Sequence, residues 1–141
     1  MERKASAVWL GGLKDGKGTI STQSGVLKET QYSFSTRFAD GIGTNPEELI
    51  AAAHAGCFTM ALSAQLGEAG LTAESLETSA AVKFEKTDAG FTITSSHLDV
   101  SVKIPGTDKA KFEEAAKAAE TGCPISRVLN TKITMDAKLV A

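Results

Sequence analysis

The chain has only two cysteines, Cys57 and Cys123, and no C-x-x-C pair. Its two histidines, His54 and His97, stand well apart, so a structural zinc site has too few ligands. An excess of one charge is also missing. The formal net charge is −2, with neither a polybasic run nor an acidic tail, which makes nucleic acid and anionic membrane poor partners. The first residues, MERKASAVWLGG, lack the apolar core of a secretory signal, and the cytoplasm is the expected compartment. Internal repeats and low-complexity segments are absent, and 141 residues are expected to form a single domain, 1–141, around one core.

What is present centres on Gly43 to Glu68, GTNPEELIAAAHAGCFTMALSAQLGE. Asn45 suits a helix cap, with Thr44 an alternative. Pro46 suits the first helical position, and Glu48 completes an N-x-x-E arrangement resembling a capping box. No charge occurs between Glu48 and Glu68, and Leu49, Ile50, Cys57, Phe58, Met60, Leu62 and Leu66 leave no consistently polar face. A helix apolar all round is normally covered on more than one side. Its length raises the question of a membrane span. However, it is mostly alanine and carries His54, Thr59, Ser63 and Gln65, which favours a buried core helix.

Around this helix the pattern predicts strands at Lys4–Leu10, Thr19–Thr22 and Tyr32–Phe38, the last placing Arg37 on the face opposite Tyr32, Phe34 and Phe38. Further strands are predicted at Thr78–Lys86 and from Phe91 to Ile104, with a bulge near Ser95-Ser96-His97 where the inward parity changes. Asp108 caps an amphipathic helix through Phe112, Ala115, Ala116 and Ala119. Cys123-Pro124 then opens a short helical turn, and Ile133 to Leu139 form a last strand. The order points to an α+β fold with antiparallel sheets wrapped on the Pro46 helix.

A cysteine acts as nucleophile in its thiolate form, which requires a nearby cation, base or helix N-terminus. Cys57 lies mid-helix and gains nothing from a helix dipole. Arg37 is the candidate cation, with Glu48 the carboxylate that would orient it. Cys123, just before Pro124, sits where a helix begins. Two such thiols suggest a pair in which Cys57 attacks a peroxide and becomes a sulfenic acid, and Cys123 condenses with it to a disulfide. Each residue also has a plainer reading: Glu48 as a cap, Arg37 as a solvated strand residue, Cys57 and His54 as core, and His97 as exposed beside Asp99. Phe58 and Met60 read as core that could also line a pocket for an apolar peroxide.

Glu48 and Cys57 are nine residues apart. On one straight helix that separates them by about half a turn and about 13 Å along the axis. Either the helix breaks between Ala51 and Gly56, or the glutamate serves the cysteine of a second chain. An apolar central helix favours the second option and predicts a homodimer.

The motifs GKGTIST, SGVL, STRF around Arg37, GTNPEELI, AAHAGCF around Cys57, LGEAG, DAGF and GCPIS around Cys123 run through most of the chain. Together they resemble the OsmC/Ohr family, and the arginine in the STRF setting resembles the OsmC branch. The resemblance implies an intertwined α+β homodimer with long central helices wrapped by antiparallel sheets. It also implies a peroxidase that reduces organic hydroperoxides without metal or other cofactor and serves oxidative and osmotic stress. By the same resemblance Cys57 is the reactive cysteine, Cys123 the resolving one, Arg37 the thiolate-stabilising arginine and Glu48 its partner, preferred over the adjacent Glu47. The implied reductant is a dithiol such as a lipoylated protein. A binding module for an apolar ligand and a thiol redox sensor are the alternatives on the same fold.

Overall fold

A computed structural model describes residues 1–140. The elements run β1 (Ala5–Leu10), β2 (Lys17–Thr22), β3 (Thr30–Tyr32), α1 (Phe34–Phe38), α2 (Pro46–Glu68), β4 (Ser75–Thr87), β5 (Gly90–Lys103), α3 (Lys109–Gly122), α4 (Pro124–Val128) and β6 (Lys132–Val140). They group into two compact units, Met1–Leu49 and the chain from Ile50 onward, so the first turn of α2 belongs to one unit and the rest of the helix to the other.

In the first unit β1, β2 and β3 form an antiparallel sheet in that order. Trp9, Gly18 and Tyr32 lie side by side across its three strands. A Cβ on Gly18 would stand 2.5 Å from both rings, so glycine is what lets Trp9 and Tyr32 meet edge-to-face at 5.4 Å.

The strand expected through Phe38 ends at Tyr32. Ser33 accepts from the Thr36 amide at 3.3 Å, and the Thr36 hydroxyl accepts from the Ser33 amide at 2.8 Å, a reciprocal cap that starts α1. Phe34 and Phe38 fit a strand by alternation, but they are also four apart and stack at 4.7 Å on one helix face. Arg37 therefore does not point away from the aromatics, and its guanidinium carbon lies 5.5 Å from the Phe38 ring centre. Asn45 then joins α1 to α2. Its amide donates to the Thr36 carbonyl at 2.9 Å, and its oxygen caps α2 by accepting from the Glu48 amide at 2.8 Å.

In the second unit β4, β5 and β6 form a sheet with β5 in the middle. β4 and β5 are an antiparallel hairpin whose register slips between Lys83 and Phe84. Thr94 is the extra residue, next to the predicted bulge. β6 pairs with β5 in parallel, so this sheet is mixed rather than wholly antiparallel. The intervening α3 and α4 supply the long crossover that parallel pairing requires. Asp108 caps α3, and Phe112, Ala115, Ala116 and Ala119 are its buried face, as the spacing predicts.

α2 contributes His54, Phe58, Leu62 and Leu66, every fourth residue, as its buried stripe, with the three apolar side chains packed with Leu98, Val100, Val102 and Phe112. Burying each large apolar side chain contributes about 1.5–3 kcal/mol. The other faces of α2 are less covered than expected: Ala52, Ala53, Gly56 and Ala64 are exposed, and Met60 is 76% exposed. α2 is long and apolar enough to cross a bilayer by length and composition, but its stripe is tied to sheet and helices of the same unit, His54 by two hydrogen bonds.

Candidate active site

Cys57 lies half-buried in the middle of α2, and Cys123 is fully buried between α3 and α4. Cys123 closes α3 by donating its amide to the Ala119 carbonyl at 2.9 Å and opens α4 as its N-cap. The two thiols are free and close enough that each shifts the acidity of the other. The fold thus brings together the two cysteines selected from the sequence.

Their acidities are pushed apart. Burial raises Cys57, the hydrogen bond with Cys123 raises it further, and only the Ile125 amide opposes. Burial also raises Cys123, but the hydrogen bond from Cys57, the Ser126 amide and hydroxyl, and the Ile125 amide outweigh it and leave that thiol below its ordinary value. The difference comes first from the interaction of the two thiols, which raises Cys57 and lowers Cys123, and then from Ser126, which lowers Cys123 alone. Within the chain Cys123 is thus the more acidic of the two thiols, the reverse of what a Cys57 nucleophile requires.

Arg37 sits in the last turn of α1 and donates through Nε (3.2 Å) and Nη2 (3.0 Å) to Glu47 Oε1. The expected partner, Glu48, instead accepts from the Thr44 hydroxyl at 2.7 Å. Adjacent helix positions point about 100 degrees apart. Because Asn45 draws the end of α1 against the start of α2, Glu47 turns inward to the arginine and Glu48 outward to solvent. Glu47 is buried, and its other oxygen has no hydrogen-bond partner among the described residues. A cavity of about 220 Å3 opens beside the pair, lined by Trp9, Leu13, Tyr32, Phe34, Arg37 and Phe38. Phe58 is core and Met60 is exposed.

Three features went unselected in the sequence. Glu47 is the carboxylate on Arg37. Ser126 lowers the Cys123 thiol, and His54 bonds Ser96 and Ser126 at 2.7 Å each. For Ser126 the position was the available signal, three residues after Cys123 in the first turn of a helix. Separately, His97 Nε2 lies 3.5 Å from Asp99 and 3.2 Å from Asp136 on the outer face of the second sheet. These atoms are close enough to share an ion, but the two carboxylates are exposed, as most such surface clusters are.

A small α+β chain with a paired-thiol centre and a carboxylate-anchored arginine belongs among thiol redox proteins. A model of the OsmC-like protein family matches residues 39–138, and the chain belongs to that family. It is 52% identical to Peroxiredoxin OsmC of Escherichia coli (strain K12) over 139 residues, covering 99% of this chain and 97% of that protein. Organic hydroperoxide resistance protein OhrB of Bacillus subtilis (strain 168) is 31% identical over 123 residues, 86% of this chain and 87% of that one. The crystal structure of Bacillus subtilis OhrB matches with a TM-score of 0.69 at 26% identity, covering 96% of this chain and 98% of that chain.

Proposed function

We propose that this chain is a peroxidase that reduces organic hydroperoxides to alcohols with two cysteines. The observation that carries the reading is the pair of free, mutually interacting thiols, Cys57 and Cys123, in a chain so similar to a peroxiredoxin. The Cys57 thiolate attacks the terminal peroxide oxygen. The O–O bond breaks, the alkoxide takes a proton and leaves as the alcohol, and Cys57 carries the oxygen as a sulfenic acid. Cys123 then attacks the Cys57 sulfur, the S–O bond breaks, hydroxide takes a proton to leave as water, and a disulfide remains. An external dithiol, such as a lipoylated protein in the cytoplasm, returns both sulfurs to thiols.

The first step requires Cys57 to ionise ahead of the more acidic Cys123, and a cation beside Cys57 would favour that. Arg37, with its guanidinium oriented by Glu47, is assigned that role, and its apolar cavity suits the organic part of the peroxide. α2 runs unbroken from Pro46 to Glu68, which keeps residues of its first turn away from Cys57 on the same helix. This supports a homodimer in which Arg37 of the partner subunit serves each Cys57. The exposed apolar faces of α2 supply a surface for such pairing.

Steady-state turnover of cumene hydroperoxide with dihydrolipoamide tests the reading. Many turnovers, with cumene hydroperoxide favoured over hydrogen peroxide and activity lost in Cys57→Ser, are expected. Turnover that survives Cys57→Ser, or a clear preference for hydrogen peroxide, would defeat it.

A further inference from the structure

His54 is fully buried three residues before Cys57 on α2, yet it does not bond that cysteine in the structure. Its Nδ1 meets Ser96 Oγ of β5 and its Nε2 meets Ser126 Oγ of α4, both at 2.7 Å. Ser126 stands three residues after Cys123 in the first turn of α4, and its hydroxyl is among the groups that lower the Cys123 thiol. A buried line of polar atoms thus runs Ser96, His54, Ser126, Cys123. Ser96 holds one end on the middle strand of the sheet, and Cys57 lies beyond the other.

Counting protons gives this line a direction. A serine has one O–H and a neutral imidazole one N–H. Burial lowers His54 and keeps its ring neutral. If Nε2 carries the hydrogen, it donates to Ser126 Oγ, the Ser126 hydroxyl is free to donate to Cys123, and Ser96 donates to Nδ1. In the other tautomer Nδ1 donates to Ser96, the Ser126 hydroxyl is taken up by Nε2, and Cys123 loses that donor. Only the first arrangement serves a thiolate at Cys123, and every group in it is matched. Cys57 is the titratable side chain acting on Cys123 directly, and His54 acts through Ser126.

We propose that His54 is a positioning residue for Cys123. Through the Ser126 hydroxyl it fixes a donor on the Cys123 sulfur and sets how readily that sulfur attacks the oxidised Cys57. Ser126 keeps its proton during the step. Cys123 supplies the electron pair of the new S–S bond, and the S–O pair leaves with hydroxide, which is protonated by solvent. The inference rests on the two-cysteine reading above and adds to it a control over the second step alone.

The test separates the two steps. Reduced full-length protein is mixed with one equivalent of cumene hydroperoxide and quenched with dimedone over time, from about pH 5 to pH 9. Sulfenic acid and disulfide are then counted by mass spectrometry. In Ser126→Ala, disulfide formation near neutral pH should slow about tenfold more than sulfenic acid formation, as expected for loss of one hydrogen bond to a charged group. Its pH profile should move upward. Ser126→Thr should restore both, and His54→Gln, whose amide can still donate to Ser126, should lose less than His54→Phe. Should His54→Phe fail to fold, the Ser126 variants carry the test alone. A Ser126→Ala protein with the unmutated rate and profile, or one slowed equally in both steps, would overturn the role. If the unmutated protein forms sulfenic acid and disulfide in this assay, the two-cysteine reading survives such a result. If it forms neither, both fall.

Discussion

Arg37 and Glu47 form a charge pair at the joint of two helices, beside a cavity with aromatic walls and with the arginine side chain 40% exposed. Cys57 and Cys123 form a thiol pair inside the second unit, enclosed by the core and tied to a line of neutral polar groups. The first region holds a fixed positive charge and no nucleophile. The second holds two nucleophiles, and the sulfur that should act second is the more acidic. Each region has what the other lacks. The comparison teaches that acidity in such a pair follows burial, the neighbouring thiol and local donors, so Cys57 needs help from outside its own neighbourhood to ionise first.

Removing the cation should break the comparison most severely. In Arg37→Ala, sulfenic acid formation at Cys57 should fall about 100-fold, the scale of losing one preorganised charge-stabilising group. A stopped-flow series in peroxide concentration would measure it, and an unchanged rate constant would leave the guanidinium without a role. The carboxylate sharpens the comparison with a smaller effect. Glu47→Gln keeps the shape and removes the charge that orients Arg37, so about a tenfold loss is expected, whereas Glu48→Gln should stay within about twofold. The opposite ranking in the same assay would restore Glu48 as the partner.

Much of this was legible in the sequence where the deciding interaction is local. Asn45, Pro46 and the apolar run place α2 correctly, and Asp108 with Phe112, Ala115, Ala116 and Ala119 gives both the start and the buried face of α3. α1 was missed because Phe34, Thr36 and Phe38 satisfy a strand and a helix alike. The choice rests on the reciprocal bonds of Ser33 and Thr36. The parallel placement of β6 depends on where α3 and α4 deliver the chain, which no local pattern encodes. Glu47 and Glu48 are indistinguishable until Asn45 pins α1 against α2. The bond between His54 and Ser126 spans 72 positions and joins a histidine that reads as core to a serine with no local pattern to mark it.

The most direct test is to treat the reduced full-length chain with one equivalent of cumene hydroperoxide and map its peptides by mass spectrometry without reduction. A linkage joining the Cys57 and Cys123 peptides of one chain, with both free thiols lost, is the expected result. Cys57 left as an isolated sulfenic or sulfinic acid beside a free Cys123, or both thiols still titratable, would contradict the account.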